Sequence, residues 1–144
     1  MEVKNIRQNP LFGEVYLVNF TGEGSAQRGL RPAVIFQNNI GNRYSPNVIV
    51  LPLTTAIKKT RQETHVFLPA SGTGLRRDSI VLCENPVCIP KFSLGSYLTS
   101  IPEKYMGKIA IASLLASAAV AYISAADLDD VRKRAGELNA MQCA

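Results

Sequence analysis

Histidine is nearly missing from this chain. His65 stands alone among 144 residues, which excludes acid–base chemistry built on two imidazoles. Cysteine is almost as scarce: Cys83, Cys88 and Cys143 are odd in number, lack metal-ligand spacing and have one histidine to join them, so no zinc site is expected. Such sparse cysteine suits a reducing cytoplasm. The carboxylates Glu14, Glu23, Glu63, Asp78 and Glu84 are scattered along the chain, unlike the clustered acids of a two-metal centre. No metal or other cofactor is expected.

Long apolar runs are lacking too. Met1 to Pro10 carries charges and no apolar core, so it does not read as a secretory signal. The one stretch that could mimic a membrane span, Ile109 to Ala126, has eighteen residues without a charge but is largely Ala and Ser. Its Ile109, Leu115, Ala119 and Tyr122 recur at near-helical spacing, which fits a core or interface helix and no membrane association.

What is present is enough apolar sequence for one domain: 47% of the residues are hydrophobic. Sixteen Lys and Arg against 11 Asp and Glu leave a formal charge of +5. That charge favours encounter with a polyanion and equally suits a weakly basic enzyme of any kind.

Phe12 to Phe20 alternates Tyr16, Val18 and Phe20 with Val15, Leu17 and Asn19, the pattern of a strand covered on most of both faces. Thr21 to Gly29 holds three glycines and no apolar periodicity, and reads as a lid or a long hairpin loop. It delivers Arg31 to an apolar run, Ala33 to Phe36, with Pro32 biasing Arg31 toward extended backbone. The turn-rich segment Asn38 to Pro46 then reverses the chain into a strand over 47–54 that closes on Thr54 and Thr55. If the two runs pair antiparallel, Arg31 and Thr54 become neighbours.

Further strands are expected over 64–68, 79–83 and 87–89, with the basic segment Lys58, Lys59, Arg61 as a phosphate contact or a solvated turn. Residues 93–101 carry no decisive pattern. Pro102-Glu103 suits the first turn of a helix reaching about Ser124. The charged remainder, 125–144, is expected as an extension to a domain over 1–124, either a short helix or disordered.

These residues resemble the MazF/PemK-type toxins of type II toxin–antitoxin systems. The strings that carry the resemblance are Gly13 to Val18, the G-S-A-Q-R-G-L-R-P of Gly24 to Pro32, Gln37 to Pro46, Thr54, Thr64 to Val66, and D-S-I-V-L-C-E following Arg77. They occur in order with matching gaps over about residues 11 to 123. The resemblance implies an α+β fold that is mostly β, an SH3-like β-barrel of the MazF/PemK/CcdB type with a long C-terminal helix. It also implies a homodimer that cuts single-stranded RNA sequence-specifically and without a metal, leaving 2′,3′-cyclic phosphate and 5′-hydroxyl ends. A cognate MazE-type antitoxin is the implied protein partner, with DNA reached only through it.

Carried over residue by residue, the resemblance makes Arg31 and Thr54 the catalytic pair. It makes Ser25, Gln27, Arg28, Thr64, His65, Glu84 and Asn85 the RNA-binding residues. Arg28 stands where many members have glycine, and Glu84-Asn85-Pro86 replaces a commoner Glu-Gln string, so both departures bear on which RNA sequence is read. His65 has two readings, a half-buried strand histidine with one nitrogen satisfied or a contact to base or phosphate.

The chemistry is coherent on the residues alone. A guanidinium offers bidentate donors matched to a phosphate, so Arg31 suits charge stabilisation in the transition state and is a poor general base. The base is left open. The alternative on the same barrel is a protein-binding toxin of the gyrase-poisoning kind, which needs no catalytic pair.

Overall fold

The computed structural model describes residues 9–21, 28–57 and 62–141. Seven strands among them are β1 (Glu14–Thr21), β2 (Arg28–Ile35), β3 (Asn47–Thr54), β4 (His65–Leu68), β5 (Ser79–Leu82), β6 (Val87–Pro90) and β7 (Leu94–Ser100). The helices are α1 (Asn39–Tyr44), α2 (Glu103–Ala116) and α3 (Ala125–Met141). No helix among the described residues is long and apolar enough to cross a membrane.

The strands run in the order β4-β5-β3-β2-β1-β7, all pairings antiparallel, and β6 adds to β3. Strand β3 is the hinge of this plan. One edge pairs with β2, while the other pairs with β6 over Asn47–Val50 and with β5 at Leu53–Thr54. Pro52 lies where that partner changes, and its missing amide hydrogen removes a ladder bond there.

Strand alternation sends side chains into two cores. Val15, Val34, Leu51 and Leu53 pack with β4, β5 and the Met106–Ile109–Ala112 face of α2. Tyr16, Val18, Ala33, Ile35, Val48 and Val50 form the second core, under Leu94 and Tyr97. This is the expected α+β architecture, a large antiparallel sheet with helices at its C-terminal end.

Several elements differ from the expectations drawn from sequence. The second strand begins at Arg28 because β1 continues to Thr21 and pairs with it. The turn-rich 38–46 segment contains α1, started by the Asn38 side chain accepting from the Gly41 N–H at 2.8 Å. Lys91 Nζ donates to the carbonyls of Asn42 and Arg43 at the other end of α1. The undecided 93–101 stretch contains β7, paired to β1 through register shifts that blur its alternation.

The single helix expected to reach Ser124 is broken. α2 stops at Ala116, Ser117 accepts from the Ala119 N–H at 3.1 Å to open a 3₁₀ turn over Ala118–Tyr122, and the Ser124 hydroxyl caps α3. Serine oxygens offer the backbone an alternative to the helix ladder, and here they win twice. The buried stripe also differs: Ile109 is buried, but Leu115 and Tyr122 are 56% and 90% exposed.

Candidate active site

The register that sets Ala33 opposite Pro52 and Val34 opposite Leu51 places, carried two residues further, Arg31 opposite Thr54. Both line a cleft of about 220 Å³ whose other walls include Pro32, Leu53, Thr55 and Ser79. Gly29, at φ +85, turns the β2 backbone in a way few other residues adopt, just before Leu30 and Arg31. Arg31 and Thr54 are each partly exposed at the mouth of this cleft.

Thr54 Oγ1 accepts a hydrogen bond from the Ala56 N–H at 3.1 Å. That bond occupies a lone pair and leaves the hydroxyl proton to be donated. Ser79 is buried and its hydroxyl donates to the Arg77 carbonyl at 3.0 Å, so the wall beside Thr54 is fixed. A guanidinium and an outward hydroxyl donor on adjacent strands make an anion-binding pair.

Over residues 12–116 the sequence matches the family of PemK-like, MazF-like toxins of type II toxin–antitoxin systems. The chain belongs to this family. It is 39% identical over 98 residues to the endoribonuclease EndoA of Bacillus subtilis, covering 67% of this chain and 84% of that one. It is 41% identical over 98 residues to the endoribonuclease MazF of Staphylococcus saprophyticus, covering 67% and 82%. A solved endoribonuclease in complex with its cognate antitoxin, from a mycobacterial species, matches with a TM-score of 0.62 at 29% identity, over 74% of this chain and 93% of that chain.

In this MazF-like toxin the remaining RNA-binding candidates divide into groups. His65 Nε2 lies 3.0 Å from Glu84 Oε2, with side chains 11% and 30% exposed, and among the described residues the buried Glu84 Oε1 has no hydrogen-bond partner. The Thr64 carbonyl accepts from the Cys83 N–H at 3.0 Å, and Asn85 sits exposed in the following turn. Thr64, His65, Glu84 and Asn85 are thus together, at the end of β5 away from Arg31 and Thr54. Ser79 at the start of β5 lines the Arg31–Thr54 cleft and Leu82 at its end pairs with His65, so about 10 Å of strand, at about 3.3 Å per residue, separates the groups.

His65 faces a different cavity of about 520 Å³ between β4 and α2, bounded by Glu63, Phe67, Tyr105, Lys108 and Ile111. The backbone of Arg28 pairs with Thr21. Ser25, Gln27, the Arg28 side chain, residues 22–27 of the Thr21 to Gly29 loop read as a lid or hairpin connection, and Lys58, Lys59 and Arg61 lie outside the described residues. Among the described residues no three His, Cys, Asp or Glu side chains converge as a metal-binding group.

Arg76 and Arg77 are functional candidates that sequence reasoning missed. The sequence pattern gives them no role, yet they line a cleft that shares Pro32, Thr55 and Ser79 with the Arg31–Thr54 site. The signal available was two adjacent arginines directly before D-S.

Proposed function

We propose that this toxin is an endoribonuclease that cuts single-stranded RNA with Arg31 and Thr54 at the scissile phosphate. The ribose 2′-oxygen bonds to phosphorus as the bond to the 5′ oxygen breaks. One proton passes, net, from the 2′-hydroxyl to the departing oxygen. The Arg31 guanidinium stabilises charge on the phosphate oxygens and hydrogen-bonds toward the leaving group, and Thr54 donates to the same phosphate. The products are a 2′,3′-cyclic phosphate and a 5′-hydroxyl, and no step calls for a metal.

The observation that carries this reading is the pair itself, opposed across β2 and β3 with the Thr54 acceptor site already taken by Ala56. The working unit is a cytoplasmic homodimer held in check by a cognate MazE-type antitoxin.

The test is cleavage of a long single-stranded transcript in EDTA by wild type and Arg31→Ala. Loss of one preorganised donor costs roughly 10²- to 10³-fold in rate, so the variant is expected to fall at least that far with an unchanged circular dichroism spectrum. Wild-type rates in Arg31→Ala would refute the assignment, and 3′-hydroxyl product ends would refute the mechanism.

A further inference from the structure

The cleft at Arg31 and Thr54 has a neighbouring cavity. Pro32, Thr55 and Ser79 form a shared wall with a second compartment of about 390 Å³, within the roughly 300–1,000 Å³ of sites that take small organic groups. Leu17, Leu75 and Leu98 give this compartment apolar walls, and Arg76 and Arg77 are exposed at its edge.

The arginines stand on a turn that is tied down on both sides. Thr99 Oγ1 donates to the Thr73 carbonyl at 3.0 Å, and Asp78 Oδ1 accepts from the Ala70 N–H at 2.7 Å. Ser79 Oγ holds the Arg77 carbonyl. Gly74 takes φ +78, and any Cβ there would collide with the Thr99 hydroxyl. Two guanidiniums on a fixed backbone, over an apolar hollow beside a phosphate-binding cleft, match the repeat of a single nucleic-acid strand: charge, flat base, charge.

We propose that this second compartment is a nucleotide subsite. It takes the base next to the scissile phosphate against Leu17, Leu75 and Leu98, while Arg76 and Arg77 neutralise the adjoining phosphate. The inference rests on the endoribonuclease reading above. Charge decides for RNA, because a pair of fixed arginines at the edge rewards a phosphate on every nucleotide step.

The probe is a seven-nucleotide RNA around a cleavage site mapped with the wild-type protein, with one 2′-deoxy residue at the scissile nucleotide so that it binds uncut. Replacing the base on one side of that nucleotide by an abasic residue is expected to weaken wild-type binding roughly tenfold. In Leu98→Ala the same replacement is expected to cost clearly less than in the wild type, since one of the three walls the base packs on is already gone. The Arg76→Ala/Arg77→Ala double variant is expected to flatten the salt dependence of log Kd by roughly 0.7 for each phosphate it no longer neutralises. Lysine at both positions is expected to restore it.

Abasic probes that bind as well as the parent on both sides, or an unchanged salt slope in the double variant, would overturn the subsite while leaving the nuclease intact. So would variants that bind RNA normally but lose an acidic antitoxin peptide, which would assign the compartment to the peptide. A wild-type protein that cuts no transcript overturns the endoribonuclease reading itself, and the subsite with it.

Discussion

In the proposed reaction Thr54 contributes through the direction of one proton. With Ala56 N–H on its oxygen, the hydroxyl is oriented as a donor before any RNA arrives. A hydrogen bond to a charged group is worth roughly 10- to 100-fold in an equilibrium or rate. Thr54→Val is expected to lose about that factor in cleavage, less than Arg31→Ala, while Thr54→Ser retains most of the activity; single-turnover kinetics on a short RNA would check it. Cys83 presents the opposite situation, a group kept inactive by its surroundings. Burial pushes its thiol up to about 11 and Glu84 acts in the same direction, with the Ser113 hydroxyl opposing both. Cys88 is exposed. In a Cys143→Ser background a thiol reagent at pH 8 is expected to modify Cys88 rapidly and Cys83 slowly. A folded-state value raised above the ordinary 9.0 gives a stability contribution that is complete below pH 9 and lost as pH climbs through about 11. The denaturant midpoint is therefore expected to decline over that window, and less steeply in Cys83→Ala.

Among the elements, α3 is attached most lightly. Its described side chains are almost all exposed, and it meets α1, where the Asn139 Oδ1 accepts from the Asn39 N–H at 2.9 Å. A chain ending at Ser124 is expected to keep its fold and its cleavage activity, with stability changed by no more than about 1 kcal/mol; thermal melts and an RNA cleavage gel would show it. Legibility in the sequence followed how local each feature is. The opposition of Arg31 and Thr54 could be read because a short reversing segment joins their strands. α1 could not, because its six residues carry no apolar stripe and depend on the Asn38 cap. The break after Ala116 depends on which serine oxygens turn back to the backbone. The Arg76–Arg77 compartment draws its apolar walls from β1, the turn before β5 and β7, and shares Pro32, Thr55 and Ser79 with the neighbouring cleft, a set of segments that no periodicity links.

The whole molecule leaves a question of coverage on α2. Ile111, Leu114 and Leu115 are 63%, 45% and 56% exposed along one helix, and apolar patches of this kind mark interfaces. Sedimentation equilibrium at micromolar protein is expected to give twice 15.7 kDa, and Ile111→Glu/Leu115→Glu is expected to give the monomer mass with the strand signal intact. The pairing of β1 with β7 sets a different clock. Glu14 waits for Ser100, its ladder partner 86 residues later, and at about 5–20 residues per second of translation that wait is roughly 4 to 17 s. Arg31 and Thr54 need only the chain between them, so the proposed catalytic pair can meet on the ribosome while the outer edge of β1 is still bare. On that reading a cell making this toxin handles an interval in which the pair is opposed before the sheet is closed, and an antitoxin synthesised in step with it would meet the nascent chain within that interval.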